Sequence, residues 1–347
     1  MPAREPENPV LSREGRHLLS ELTFRALRTL ADGRFHSGED MARALGRSRA
    51  TLSEALKQAP ELGVDLFSVR GKGYRLAEPI EFIDAAVVAA RLAAAGSRIR
   101  LEVVDQVDST STRLLALAAA GAPSGTCLAA EWQSAGRGRR GRSWVATVGG
   151  SLVFSLLWRF ERGAGHLGGL SLAAGVAVAR ALAECGVERA QVKWPNDVVA
   201  DLRKLAGILV ETSGEIQGPT LAVVGVGVNY RLADRAKDLI DQPVADVVRC
   251  SPAAPSRSAL LGAILAHLGR ALEDFDRRGF AGVRDEWRAL HAYQGREVRV
   301  VPPREAPYDA RVVDVAPDGA LVVETPDGRR SALASAEISL RGKLPVA

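Results

Sequence analysis

Cysteine is scarce in this chain of 347 residues: Cys127, Cys185 and Cys250 are odd in number and widely spaced. They offer no disulfide framework and no zinc-type pair, which makes a reducing cytoplasm the simplest expected compartment. Long apolar runs are missing too. The longest, around residues 167–179, is shorter than the roughly 20 residues of a membrane span, and residues 1–9 carry proline and charge without an apolar leader core. No membrane partner is expected. There is no internal repeat, no Gly-x-Ser-x-Gly elbow and no credible Cys-His pair, so nothing advertises a covalent nucleophile. The net charge of +5 is modest and the hydrophobic share of 47% is ordinary for a globular protein. The length suits two or three domains, and three fit best.

What is present is concentrated in a few clusters. Residues 136–144 read Gly-Arg-Gly-Arg-Arg-Gly-Arg-Ser-Trp, too rich in glycine for a helix and too charged for a core. Glycine lets a backbone approach a ligand, and arginine presents a planar fork of donors matched to phosphate or carboxylate oxygens, so the run reads as an anion-binding loop. A solvated surface loop, or a basic segment meeting nucleic acid nonspecifically, is the plainer reading. Lys193-Trp194-Pro195-Asn196-Asp197 lies between apolar residues and looks like a strand broken by proline at a bulge or edge. Lys204 to Glu211 returns as a strand after a polar tip, which puts both lysines on neighbouring strands facing one cleft. Leu221 to Asn229 is continuously apolar and reads as a strand buried on both faces. Its Gly225-x-Gly227 marks close approach of either a nucleotide or a packing neighbour, and Asn229 offers an amide to a base or a backbone.

In order along the chain, Asp108-Ser109-Thr110, Glu131-x-Gln133, the 136–144 loop, Lys193 to Asp197, Arg203 to Glu211 and Gly225-x-Gly227-x-Asn229 closely resemble the bifunctional biotin protein ligase and biotin operon repressor family. The resemblance covers nearly the whole chain. It implies a reaction in which the biotin carboxylate attacks the α-phosphorus of ATP with Mg²⁺ present, and a lysine of a biotin carboxyl carrier protein then attacks the resulting biotinyl-5'-adenylate. By the same resemblance Ser109, Thr110, Ser111 and Gln133 hold the ureido ring, Gly207 lies on the biotin side, and Gly136, Arg137, Gly138 and Arg139 form a lid. Lys204 bridges carboxylate and α-phosphate and is the residue expected to be essential. Arg139, Arg142 and Lys193 complete the catalytic cations, Asn196 and Asp197 attend phosphates and metal, and Asn229 and Trp144 face the nucleotide. Trp144 and Trp194 equally suit core packing. Ser111 departs from the family's common asparagine, so weaker or rearranged biotin binding is expected. No tryptophan stands near residues 241–244, where repressor-type members carry one over adenine.

Residues 21–79 have their own character. Phe24, Leu27 and Leu30 form a helical stripe; Ser37 caps a helix whose Met41, Ala44 and Leu45 point inward; Gly46 turns; Ser48 caps a second helix. Residues 67–76 alternate about two glycines as a hairpin wing would. From Arg34 to Arg75 eight basic residues face five acidic ones, which is compatible with duplex DNA. Ser48, Arg49, Thr51, Lys57, Arg70 and Lys72 are the expected contacts. The resemblance extends to this winged helix-turn-helix and implies operator binding; a domain that only packs on the ligase is the other reading.

The expected architecture is therefore α+β and multidomain: a flexible extension over residues 1–20, a winged helix-turn-helix over 21–79, a central mixed sheet with helices on one face over 80–290, and a small SH3-like β-barrel over 291–347. The implied activity is biotin ligation coupled to repression by an adenylate-promoted homodimer. A ligand-sensing transcription factor without ligase chemistry and a lipoate ligase are the alternatives.

Overall fold

A computed structural model describes residues 20–214, 218–233, 240, 242–251, 253–301, 306–334 and 339–342. The extension expected over residues 1–20 lies outside them apart from its last residue. Three helices open the described chain: α1 (Glu21–Thr29), α2 (Gly38–Ala44) and α3 (Arg49–Leu56). Each begins at a serine, Ser20, Ser37 or Ser48, whose hydroxyl accepts the backbone N–H three residues on and so satisfies an otherwise unpaired donor of the first turn. Strands β1 (Leu66–Val69) and β2 (Gly73–Leu76) form the wing as an antiparallel hairpin. Phe24, Leu27, Leu30, Met41, Leu52 and Leu56 are all buried in the core of this unit. Ala44 corrects the sequence reading: it is exposed, and Ala42 takes the inward place, because the stripe through Met41 and Leu45 turns position 44 outward.

The central unit runs α4 (Ala85–Ala94), β3 (Arg100–Val107), α5 (Thr110–Ala119), β4 (Thr126–Gln133), β5 (Ser151–Phe160), α6 (Leu170–Glu184), β6 (Ala190–Lys193), β7 (Asp197–Ala200), β8 (Arg203–Gly214), β9 (Thr220–Asn229), α7 (Val247–Cys250), α8 (Arg257–Arg278) and α9 (Arg284–Leu290). The sheet has seven strands in the order β3-β4-β5-β9-β8-β7-β6, with β3 and β4 parallel and the other pairs antiparallel. The expectation of helices on one face is corrected. Along β5, Leu152, Phe154 and Leu156 enter the large core with α6 and α8, whereas the alternate Leu157 packs with Leu114 and Ala118 of α5 on the opposite face. Apolar side chains on both faces of a strand require cover on both sides.

Among the described residues five more strands follow, β10 (Glu297–Val301), β11 (Tyr308–Val315), β12 (Leu321–Glu324), β13 (Arg330–Leu333) and β14 (Ser339–Gly342). They pair antiparallel in the order β13-β12-β11-β10-β14. The indole N–H of the buried Trp194 donates to Gly319 O at 3.0 Å, tying this sheet to the β6–β7 turn.

The winged unit and the central sheet share a core: Trp132 of β4 and Val148 belong to the cluster formed by Phe24, Leu27 and Leu62. Val148 N–H donates to Leu62 O at 2.9 Å, and a Cβ at Gly63 would stand 2.4 Å from Thr147 Cγ2. Among the described residues no helix is long and apolar enough to cross a membrane.

Candidate active site

One face of the sheet is bare at Gly225 and Gly227 of β9 and at Gly207 of β8, where the site lies. Cross-strand register aligns Ser155 with Gly225 and Leu209, and Gly227 with Gly207, so all five share that face. Trp144 lies on the bare stretch: a Cβ at Gly227 would be 2.4 Å from its indole, and one at Gly207 would be 3.1 Å from it. The Gly225-x-Gly227 pair thus admits packing neighbours, Ser111 at the first and Trp144 at the second. Trp144 is half-buried and part of the site wall, whereas Trp194 is a core residue.

The basic loop folds as a small hairpin, with Gly138 N–H donating to Arg142 O at 2.7 Å and Trp144 N–H to Gly136 O at 2.9 Å. Gly136 must be glycine, since a Cβ would lie 2.7 Å from Trp144 O and 3.0 Å from Gln133 Nε2. The loop walls a hollow of about 590 Å³ that Leu209 and Glu211 close from the sheet. Arg137 donates to Glu211 at 2.7 Å. Arg139 reaches Asn196 Oδ1 at 3.3 Å and also lines a second hollow of about 290 Å³ beside Trp194 and Gly319. Burial, then Arg140, lowers the Arg139 pKa, and Asp197 opposes both. Arg142 is exposed on the rim.

Lys204 and Asp197 face each other across a bulge between β7 and β8, with Nζ 2.9 Å from Oδ1. The bulge re-aims Lys204 from its place in the ladder. Its Nζ is also 5.6 Å from the Trp144 ring centroid, and its backbone is clamped from two sides: N–H to Pro243 O at 2.9 Å, and O from Asn229 Nδ2 at 3.1 Å. The buried Asn229 therefore gives its amide to a backbone. Lys193 stands apart, on the edge strand β6, its Nζ 5.9 Å from the Tyr293 ring centroid. β7 separates the two lysine-bearing strands, so they are not neighbours.

At the other end of the glycine floor, Ser109 caps α5 and accepts Thr112 N–H at 3.4 Å. Thr110, Ser111 and Gln133 are buried together with Ser155 in one hydrogen-bonded group. Sequence reasoning missed Ser155; its signal was a hydroxyl between the apolar residues Phe154 and Leu156 of β5. It also missed the fully buried pair of Glu131 and Arg257 at 2.8 Å, in which Glu131 Oε1 accepts Ile83 N–H and Arg257 donates to Ser151 O. This pair fastens the linker after the winged unit to β4, the strand that carries Gln133.

In the winged unit, Ser48 and Thr51 are occupied with each other at the cap of α3, their hydroxyls 2.8 Å apart, while Arg49 is exposed beside them. Lys57 is paired with Glu54 at 2.7 Å. Arg70 and Lys72 flank Gly71 at the wing tip, with φ +81 at that glycine. A Cβ at Gly38 would lie 2.9 Å from Tyr74 of the wing and 3.7 Å from Arg49, so the wing and the α3 amino terminus adjoin.

Comparison with known proteins agrees with this geometry. The Biotin/lipoate A/B protein ligase family matches residues 103–229, an HTH domain matches residues 23–75 and the Biotin protein ligase C terminal domain matches residues 294–341. The bifunctional ligase/repressor BirA of Salmonella typhimurium is 36% identical over 313 residues, 90% of this chain and 95% of that protein. The biotin–[acetyl-CoA-carboxylase] ligase of Mycobacterium tuberculosis is 37% identical over 66% of this chain and 83% of its own length. Among solved structures, the biotin protein ligase from Aquifex aeolicus in complex with biotin and ATP is 28% identical, with a TM-score of 0.59 over 70% of this chain and 99% of that one. The chain belongs to the bifunctional biotin protein ligase and biotin operon repressor family.

Proposed function

We propose that this protein forms biotinyl-5'-adenylate from biotin and ATP, transfers the biotinyl group to a lysine of a biotin carboxyl carrier protein, and represses biotin-synthesis genes by binding operator DNA as an adenylate-promoted homodimer. The observation that carries the ligase reading is the meeting of Arg139, Lys204, Asn196 and Asp197 between the basic loop and the glycine floor. In the first step a carboxylate oxygen of biotin bonds to the α-phosphorus and pyrophosphate departs. Two anions must be brought together, so fixed cations carry the catalysis. Lys204 supplies its ammonium between carboxylate and α-phosphate, exchanging Asp197 for substrate oxygens. Arg139 and Arg142 take the phosphates, and the 136–139 backbone covers the adenylate. In the second step the carrier amine attacks the acyl carbon and AMP leaves.

Mg²⁺ supplies further neutralisation of the phosphates when bound. Among the described residues no group of three His, Cys, Asp or Glu side chains could hold an ion unaided. Asp197 offers one carboxylate, while Asn196 is already engaged through Oδ1 with Arg139 and through Nδ2 with Ile208 O. Asp197 would be the one protein carboxylate to hold Mg²⁺, in keeping with the preference of that ion for few protein ligands.

Residues 21–79 are assigned to DNA, 80–290 to the chemistry, and 291–347 to an SH3-like unit beside the second hollow. Pyrophosphate release with biotin, with lipoate and with neither, under ATP and Mg²⁺, tests the reading. Release with biotin alone is expected. Release with lipoate in its place contradicts it.

A further inference from the structure

The buried group around Ser155 has a hydrogen-bond direction that follows from counting protons. Gln133 Oε1 lies 2.8 Å from Thr110 N, and a backbone N–H only donates, so the amide of Gln133 is oriented with its oxygen toward Thr110 and its Nε2 away. Thr110 Oγ1 is 3.0 Å from the same Oε1, which has no proton, so the threonine hydroxyl donates there. Its single proton is then spent. Ser155 Oγ, 2.7 Å from Thr110 Oγ1, must donate to it, and Ser111 Oγ, 2.9 Å from Ser155 Oγ, must in turn donate to Ser155.

Two ends remain for a ligand. Gln133 Nε2 is a donor, and it is directed at Gly136, where a Cβ would stand 3.0 Å away. Ser111 Oγ retains lone pairs only, and it projects onto β9, where a Cβ at Gly225 would stand 2.7 Å from it. Gly225, Ser155 and Leu209 are in register, and Leu209 lines the larger hollow. The chain of protons therefore ends as a fixed donor against Gly136 of the loop and a fixed acceptor against Gly225 of β9. A cyclic urea presents the complementary pair, a carbonyl oxygen and an adjacent N–H.

We propose that Ser155 is a positioning residue for the ureido ring: its own proton directed to Thr110, it takes up the proton of Ser111 and so makes Ser111 an obligate acceptor for one ureido N–H. This rests on the biotin reading above. It also gives the serine at position 111 a defined role, because a hydroxyl held this way accepts without competing to donate. Ser155 itself is fully buried, beneath the contact surface.

The test uses the full-length protein and the binding of biotin and of its two ureido N-methyl derivatives by calorimetry. Wild type is expected to prefer biotin over the derivative whose methyl replaces the proton taken by Ser111. Ser155→Ala should weaken biotin about tenfold, the scale of a lost buried hydrogen bond, and should shrink that preference several-fold, with the KM for ATP unchanged. Ser155→Cys, slightly larger and a weaker donor, should fall between, and Ser111→Ala combined with Ser155→Ala should cost little more than Ser111→Ala alone. Equal weakening of biotin and both derivatives by Ser155→Ala, or no weakening, would overturn the role of Ser155 while leaving the ligase reading intact. Failure of the wild type to bind biotin would sink both.

Discussion

Lys204 Nζ stands 2.9 Å from Asp197 Oδ1, with both side chains less than one-fifth exposed. A carboxylate thus holds the ammonium at the place where two substrate anions must meet. Replacing Lys204 with alanine removes the only charge that spans carboxylate and α-phosphate in this scheme. Adenylate formation should fall at least about a hundredfold, as removal of a fixed transition-state donor does elsewhere, with the circular dichroism spectrum unchanged. Pyrophosphate release at the wild-type rate in Lys204→Ala would falsify the assignment.

Arg139 joins the loop to Asn196 and borders both hollows. Arg139→Gly should loosen the cover over the adenylate, so that activated biotin escapes and labels bystander proteins. Mass spectrometry of added albumin reads this directly. An unlabelled bystander together with a retained adenylate would show that Arg139 does not hold the loop.

Arg257 and Glu131 are both fully buried. Arg257→Met leaves the Glu131 carboxylate without its counter-charge, and breaking such a pair costs about 3–5 kcal/mol. The urea midpoint should drop accordingly, and Glu131→Gln added to Arg257→Met should recover part of the loss. A midpoint equal to wild type in Arg257→Met would contradict the buried network.

Arg49 and Arg70 are exposed at the α3 amino terminus and the wing tip. Alanine at either position should weaken duplex DNA binding and lower the slope of log affinity against log salt by about one for each phosphate no longer neutralised. Lys57→Ala should matter less, because Glu54 already engages that charge. Fluorescence anisotropy across a salt series checks both, and slopes unchanged in Arg49→Ala and Arg70→Ala would remove them from the interface.

Burial lowers the His291 pKa to about 3, against a smaller upward contribution from Gln294. The folded form therefore stays unprotonated where the unfolded chain takes up a proton. Stability that is full above about pH 6.5 is lost as the pH falls toward the folded value, by about 1.4 kcal/mol per pH unit for one proton. The stability difference between wild type and His291→Asn should shift against wild type over that window. A difference independent of pH would contradict the burial of the neutral ring.

The motifs around residues 108–111, 136–144, 193–197 and 203–211 were legible because glycine, arginine and lysine in apolar surroundings have few packing uses. The capping serines and the wing were legible for similar local reasons. Less local features were not. Whether α5 covers the second face of the sheet depends on which side of β5 finds a partner. The bulge that turns Lys204 toward Asp197 leaves no mark in residue type, and Pro195 marks the break after β6 without showing that the chain reverses there into β7 and sets the two lysines a strand apart. Ser155 reads as one more small residue until Thr110, Ser111 and Gln133 are set around it. The shared core of Trp132 and Val148 with Leu62 joins residues far apart in the chain, which periodicity within a single element does not reveal.

The most direct test of the converging cations is the intact mass of a biotin carrier domain after incubation with this protein, biotin, ATP and Mg²⁺. The expected result is one biotinyl addition on a single lysine with wild type and none with Lys204→Ala. A carrier of unchanged mass with wild type, or an equal gain with Lys204→Ala, would contradict the account.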